Sequence, residues 1–340
     1  MKALHFVKTG TLAWRDVADL RVNGPLEAVV RPLASTACDL DRSIIAGQVD
    51  FGRDYPIGHE CVAEVIDVGA AVRHFVPSDI CVVPWHISCG VCAQCRQGLP
   101  TACSTVPGLS GYGAPIAGHW GGLFSDEVKV PFADGMLTRL PDTIEPVRAA
   151  SASDNLTDAY VAAWRGLSRH PAAAVLVVSS LPSLGLFAVD QALALGAAGV
   201  AFVDPDEERR ELAAQLGAAA YPAIDPARHH SAFPIVLSAT AEPKRLADAI
   251  RCLTPGGHLS NIGMFFQDVR MPVWEMYQRD VTFSTGFVSI TPHVQHVLSL
   301  LERNRLHPQI FATTHEWDSA PDVLLEPHVK PVLTRPPLPR

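Results

Sequence analysis

No stretch of this sequence approaches the roughly 18 consecutive apolar residues that a membrane-spanning helix needs. The opening Met1-Lys2-Ala3-Leu4-His5-Phe6-Val7 also lacks the long apolar region of a secretory signal, so a cytoplasmic location is expected. Basic residues are outnumbered, 27 Lys and Arg against 35 Asp and Glu, for a net charge of −8. That balance argues against nucleic acid or an anionic membrane surface as the main partner, because both reward positive charge. Internal repeats are absent. The chain has 340 residues, of which 48% are hydrophobic, enough for two domains with real cores.

Cysteine is well represented, with eight copies. Four of them, Cys89, Cys92, Cys95 and Cys103, follow the spacing C-x2-C-x2-C-x7-C. Four thiolates this close in sequence can converge on one tetrahedral Zn2+ with no open position, which is a structural site. The alternative is two disulfides or plain core thiols, and no secretory context supports disulfides.

The first 150 residues alternate short apolar runs with Gly, Pro and Asp. Leu4 to Val7, Ala28 to Val30, Cys61 to Val68 and Ile80 to Val83 read as strands, punctuated by Pro32, Pro56, Pro77 and Pro84. Two small motifs lie among them, Thr36-Ala37-Cys38-Asp39-Leu40-Asp41 and Ile57-Gly58-His59-Glu60-Cys61. Together they supply a thiolate, an imidazole and a carboxylate, the ligand types of an open zinc site.

Beyond residue 150 the pattern changes. Continuous apolar runs at 174–178, 199–204, 234–237 and 257–263 alternate with helical stretches at 183–195, 207–216 and 244–253. Repeated β-α-β units predict a doubly wound parallel sheet of the Rossmann type. Its phosphate turn is thin in glycine. Where G-x-G-x-x-G would stand, the chain has Ser179-Ser180-Leu181-Pro182-Ser183-Leu184-Gly185. Proline removes a donor there, while serine hydroxyls can replace glycine amides as phosphate partners. Ser180, Pro182, Ser183, Leu184 and Gly185 are the candidate turn. Asp204 ends the next strand, where an acid can bind the ribose hydroxyls of NAD; the other reading is a loop acid or a cap. Arg209 and Arg210 leave an opening for NADP.

The Cys38/Asp41 motif, the Gly-His-Glu motif and the four-cysteine run resemble the zinc-dependent medium-chain alcohol dehydrogenases. So do Gly121-Gly122-Leu123-Phe124-Ser125-Asp126 and the closing Lys330-Pro331-Val332-Leu333-Thr334. The resemblance implies an α/β protein with a β-rich GroES-like catalytic domain, 1–150 and 286–340, and a Rossmann domain, 151–285. The zinc lobe would be 86–104. It implies a catalytic zinc on Cys38, His59 and Asp154, with Glu60 as ligand or exchanging partner, and a structural zinc on the four cysteines. Asp154 could instead be a helix N-cap. Asp41 would fix the tautomer of His59. The cofactor would be NAD(H), with NADP(H) the lesser choice, and the assembly a homodimer or homotetramer. Trp85, His86, Leu109, Tyr112 and Trp120 fall in segments that line the family's substrate cleft.

Two departures bear on chemistry. Leu40 and Ser43 stand where the family's proton relay would be, and leucine cannot carry a proton. Asp158 is the neighbouring carboxylate that could take over, or a structural acceptor. The implied reaction is hydride transfer between a nicotinamide and an alcohol or carbonyl. Reduction of an unsaturated or imine-like substrate is a second possibility, and a non-catalytic relative with weakened dinucleotide binding is a third. His229, His230, His293 and His296 are expected at the surface, and Arg335 to Arg340 as a frayed tail.

Overall fold

A computed structural model describes residues 1–338. Contacts divide the chain into two units. Unit 1 holds Met1–Thr157, Val288–Arg303 and the chain from Ala312 onward; unit 2 holds Asp158–Phe287 and Asn304–Phe311.

Unit 1 is built on a seven-stranded sheet. Its order runs Ala312–Glu316, Lys330–Thr334, Ala28–Thr36, Glu60–Val68, Ile80–Val83 and Thr138–Arg139, with Val128–Val130 also pairing on Ala28–Thr36. The long strand Ala28–Thr36 is buried on both faces, which its apolar run requires. Pro32 cannot donate to a ladder, and it sits at a register shift against Glu60–Val68. The antiparallel register pairs Thr36 with Glu60 and Val332 with Thr36. The end of one strand and the starts of its two neighbours therefore lie at one edge. That register brings Cys38, His59, Glu60 and Lys330 together although they are scattered over the chain. A smaller sheet, Thr11–Asp16, Lys2–Lys8 and Tyr55–Pro56, packs its apolar side chains with Ile57, Phe124 and Trp317.

Unit 2 carries the expected Rossmann sheet. Six parallel strands run in the order Ala219–Tyr221, Gly199–Val203, Ala174–Ser179, Phe233–Ala239, Leu253–Asn261 and Thr282–Thr285. In chain order this is 3-2-1-4-5-6, the doubly wound dinucleotide-binding topology. Val175 to Val178 are fully buried, as their unbroken apolar run predicts. Among the described residues no helix is long and apolar enough to cross a membrane.

Two expectations are corrected. Arg335 is not frayed: it donates to Pro32 O (2.7 Å) and Asp126 Oδ1 (3.0 Å), and lies 4.0 Å over the Trp317 ring. Pro339 and Arg340 of that expected tail lie outside the described residues. His229 is buried, not surface: it packs against Tyr221 and Phe233, and its Nδ1 accepts from the Asp225 N–H at 2.8 Å. The apolar neighbours that bury it are separated from it in sequence, which a local reading misses.

Candidate active site

Cys38 caps the short helix Asp39–Ile45, and its backbone N–H donates to Asp41 Oδ2 at 2.9 Å. His59 immediately precedes the strand Glu60–Val68 and follows a left-handed residue, Gly58, with φ of +93°. A Cβ at Gly58 would strike the Phe124 ring at 2.3 Å, so only glycine fits this turn. Asp154 follows the 3-10 turn Ala150–Ser153 and precedes the helix Asn155–Arg169. One ligand atom from each of Cys38, His59 and Asp154 lies within 4.8 Å of the others. His59 Nε2 faces Asp154 Oδ2 at 3.5 Å, and its Nδ1 faces Asp41 Oδ1 at 3.3 Å. With Nδ1–H turned to Asp41, the lone pair of Nε2 points into the cluster. Burial, and then the Asp154 charge, push the Cys38 thiol up. A divalent cation among these donors reverses that, because it deprotonates a coordinating thiol and neutralises the carboxylate. Thiol, imidazole and carboxylate thus fit a zinc ion chemically.

Glu60, expected as a ligand or an exchanging partner, is not among the three grouped donors. Its carboxylate takes the Lys330 ammonium on Oε2 and the Asn155 N–H on Oε1 at 2.9 Å. Burial raises it to about 7 against the opposing pull of Lys330. Lys330 is 1% exposed and also donates to Ala37 O at 2.8 Å. In the amide orientation that suits its neighbours, Asn155 donates to Asp154 Oδ2 (3.0 Å) and accepts from Lys330 (3.3 Å). The same amide lies 3.2 Å from Cys38 Sγ. Neither Lys330 nor Asn155 was anticipated. The signal for Lys330 was a lysine opening an otherwise apolar strand.

The four cysteines also converge, all as free thiols. Cys92 Sγ and Cys103 Sγ are 3.9 Å apart. That is far beyond a disulfide bond of about 2.0 Å. It is close to the edge of a tetrahedron with metal–sulfur bonds of about 2.3 Å. N–H groups already serve the sulfurs: Cys89 Sγ accepts from the Cys92 N–H at 3.4 Å, and Cys103 Sγ from the Cys89 N–H at 3.4 Å. The backbone N–H groups of Cys95 and Ser104 lower Cys92 to about 5.

In unit 2 the turn Ser179 to Gly185 joins the strand Ala174–Ser179 to the helix Leu184–Ala194. A Cβ at Gly185 would meet Ser179 Oγ at 2.3 Å, so a side chain has no room at this one glycine of the turn. The Ser180 hydroxyl is 2.8 Å from Thr240 Oγ1, and the Ser180 N–H donates to Ala239 O. Pro182 is half-buried in the turn, and Ser183 is the buried N-cap of the helix. Asp204 is fully buried and takes two donors from Arg209, Nε at 3.0 Å and Nη2 at 2.7 Å. The Asp206 N–H reaches it as well at 2.9 Å. Asp158, half-buried in the first turn of its helix, opens unit 2. Tyr112 is core, donating its hydroxyl to Lys129 O at 2.9 Å.

Residues 24–142 match the model of the alcohol dehydrogenase GroES-like domain, and residues 183–303 that of the zinc-binding dehydrogenases. The chain belongs to the zinc-dependent medium-chain dehydrogenase/reductase family. A probable zinc-binding alcohol dehydrogenase of Mycobacterium tuberculosis is 29% identical over 328 residues, covering 94% of this chain and 83% of that protein. The solved alcohol dehydrogenase of Thermus sp. ATN1 is 29% identical with a TM-score of 0.89, covering 98% of this chain and 99% of that one. Acetophenone reductase of Geotrichum candidum, solved with NAD, shares the fold at a TM-score of 0.81 and 22% identity, covering 98% of this chain and 97% of that one. This dehydrogenase is therefore a zinc-dependent oxidoreductase of alcohols or carbonyls that uses a nicotinamide cofactor.

Proposed function

We propose that Cys38, His59 and Asp154 hold the catalytic zinc, that the four cysteines hold a second, and that NAD is the hydride carrier for a small alcohol. The observation that carries this reading is the three-donor cluster, whose ligand atoms lie within 4.8 Å of one another. Three protein ligands leave a position for substrate, whereas the four-thiolate set leaves none.

Zinc held by Cys38, His59 and Asp154 would supply a Lewis acid for the substrate oxygen, and a nicotinamide held by unit 2 would supply the hydride acceptor. The protein's own residues set the conditions. Asp41 holds His59 in the tautomer that presents Nε2, and the Cys38 N–H in turn anchors Asp41. The Asn155 amide supports both the Cys38 sulfur and Asp154. Lys330 keeps the Glu60 carboxylate occupied, so that three protein donors rather than four define the site. Leu40 is only partly buried beside these groups and contributes packing, not a proton path.

Asp204, at the end of the second Rossmann strand, supports NAD. The competing reading is NADP, because Arg209 already occupies the Asp204 carboxylate and supplies positive charge beside it. A homodimer or homotetramer is the proposed assembly. Metal analysis of the purified protein tests the central reading. Two zincs per chain are expected, falling to one in Cys38→Ser with loss of alcohol oxidation. One zinc in the parent protein, or unchanged turnover in the variant, refutes it. Comparing kcat/KM for NAD and NADP decides the carrier.

A further inference from the structure

Asp190 is 2% exposed and lies midway along the helix Leu184–Ala194, which follows the phosphate turn. Aspartate is a poor helix former and is almost never buried without a partner. Its partner comes from the segment Asn304–Phe311, which belongs to unit 2 although the chain on either side of it belongs to unit 1. The His307 N–H donates to Asp190 Oδ2 at 2.7 Å, and His307 Nδ1 faces Oδ1 at 3.2 Å. Two more contacts hold the same segment on the same helix. The Phe311 ring meets the Phe187 ring edge-on at 4.9 Å, and Arg305 Nη2 donates to Ala194 O at 2.8 Å. Positions 187, 190 and 194 are three and four apart, so they share one helix face. Leu306, Pro308 and Phe311 are buried, which makes the segment a packed strap.

The middle contact of the strap is ionic where an apolar pair would serve stability as well. A buried ion pair is weak evidence for stability, because desolvation offsets the attraction. Burial raises the Asp190 carboxyl, and the His307 N–H and ring oppose the rise. The turn ahead of the helix commits donors elsewhere. Pro182 has no N–H, the Ser180 N–H goes to Ala239 O at 3.1 Å, and the Ser180 hydroxyl sits 2.8 Å from Thr240 Oγ1. Binding of a pyrophosphate then leans on the position and dipole of the helix itself.

We propose that Asp190 and His307 are positioning residues for the dinucleotide: they clip the strap Asn304–Phe311 to the helix Leu184–Ala194 and so hold the phosphate turn in its binding shape. The proposal rests on unit 2 holding the nicotinamide cofactor. Coupling is reciprocal, so a bound dinucleotide must tighten the clip by the factor by which the clip favours the dinucleotide. Asp204 and Arg209, which bear on the choice between NAD and NADP, lie on other elements, and the clip acts on both carriers alike.

Two measurements on the full-length, zinc-loaded protein test it. Fluorescence titration gives Kd for NADH and NADPH. Asp190→Ala, which removes both bonds to His307, should raise Kd about tenfold for each carrier that binds. His307→Ala, which removes the ring alone, should raise it about threefold. The double variant should match Asp190→Ala within about twofold, short of the roughly thirtyfold that independent effects would give. Asp190→Asn keeps an acceptor for the His307 N–H and should recover part of the loss. Hydrogen exchange of the peptide spanning 304–311, read by mass spectrometry, should slow when dinucleotide saturates the parent protein, and less so in Asp190→Ala. A Kd within twofold of the parent in Asp190→Ala, even with earlier melting, shows a structural clip alone and overturns the proposal. Exchange of 304–311 unchanged by dinucleotide in the parent overturns it too. If Asp190→Ala does not fold, His307→Ala, whose side chain is 41% exposed, and the parent exchange carry the same decision. A parent protein that binds neither carrier refutes the cofactor reading and the proposal with it, a different result from tight binding that the variants leave untouched.

Discussion

Gly58→Ala should damage both stability and turnover, and the structure allows the two causes to be separated. The backbone at 58 has φ of +93°, and placing a non-glycine residue in left-handed territory costs about 1–2 kcal/mol. The added methyl also meets Phe124 Cδ2 at 2.3 Å. The backbone cannot swing aside easily, since the Leu123 N–H donates to Gly58 O at 2.8 Å. Phe124 is fully buried against Trp317, so overpacking adds about 1–3 kcal/mol. The sum is about 2–5 kcal/mol. Phe124→Ala alone should cost about 3–5 kcal/mol as a cavity. In the double variant the clash vanishes and only the backbone strain is left. Its cost should therefore fall short of the sum of the singles by about 1–3 kcal/mol. Urea denaturation of the four proteins measures this directly. Because His59 is the next residue, kcat/KM of Gly58→Ala should drop by more than about tenfold. Additivity within about 0.5 kcal/mol would refute the steric argument.

Three further outcomes follow. Lys330→Met strands the Glu60 carboxylate at 0% exposure and should cost about 3–5 kcal/mol in denaturation, with most of it regained in Lys330→Met/Glu60→Gln. A single-variant cost below about 1 kcal/mol would mean the pair is not a stabilising lock. Cys92→Ser should lower bound zinc by one ion per chain while the Cys38 set keeps its metal, as read by metal analysis. An unchanged zinc content counts against the four-thiolate site. His258 is held down at about 4 by burial, then by Arg169 and Arg165. Its folded value lies below the unfolded one of about 6.5, so its stabilising effect is full above that pH and drains away as pH falls through 4. Melting temperatures of the parent and His258→Asn between pH 7 and 4 should converge toward acid; parallel curves would exclude this assignment.

Local pattern made some features legible and hid others. The four cysteines could be read because their spacing alone brings the sulfurs together. The Rossmann alternation could be read because buried parallel strands are unbroken apolar runs. Lys330 could not, because its partners Glu60 and Ala37 meet it only through strand register, and Asn155 could not, because Glu60 and the Cys38 sulfur come to it from distant parts of the chain. Asp204 was visible at a strand end, but its capture by Arg209 depends on the geometry of the next helix. The Ser180 hydroxyl reads locally as a phosphate partner, but the fourth Rossmann strand, which ends at Ala239, brings Thr240 beside it. His229 misled for the same reason in reverse, as a polar residue enclosed by aromatics that the sequence spreads over a dozen positions.

The three-segment make-up of unit 1 bears on how the protein is born. Glu60 leaves the ribosome early, and its counter-charge, Lys330, is still 270 positions away. At about 5–20 residues per second the gap is roughly 15–50 s. During that interval the strand Ala28–Thr36 lacks its neighbour Lys330–Thr334, and an open sheet edge waits beside an unmatched acid. Unit 2 emerges within the same window from a nearly continuous stretch. The nascent chain is therefore exposed to wrong pairing until its final strand arrives, and slower translation or early chain termination should send it to chaperones or into aggregates.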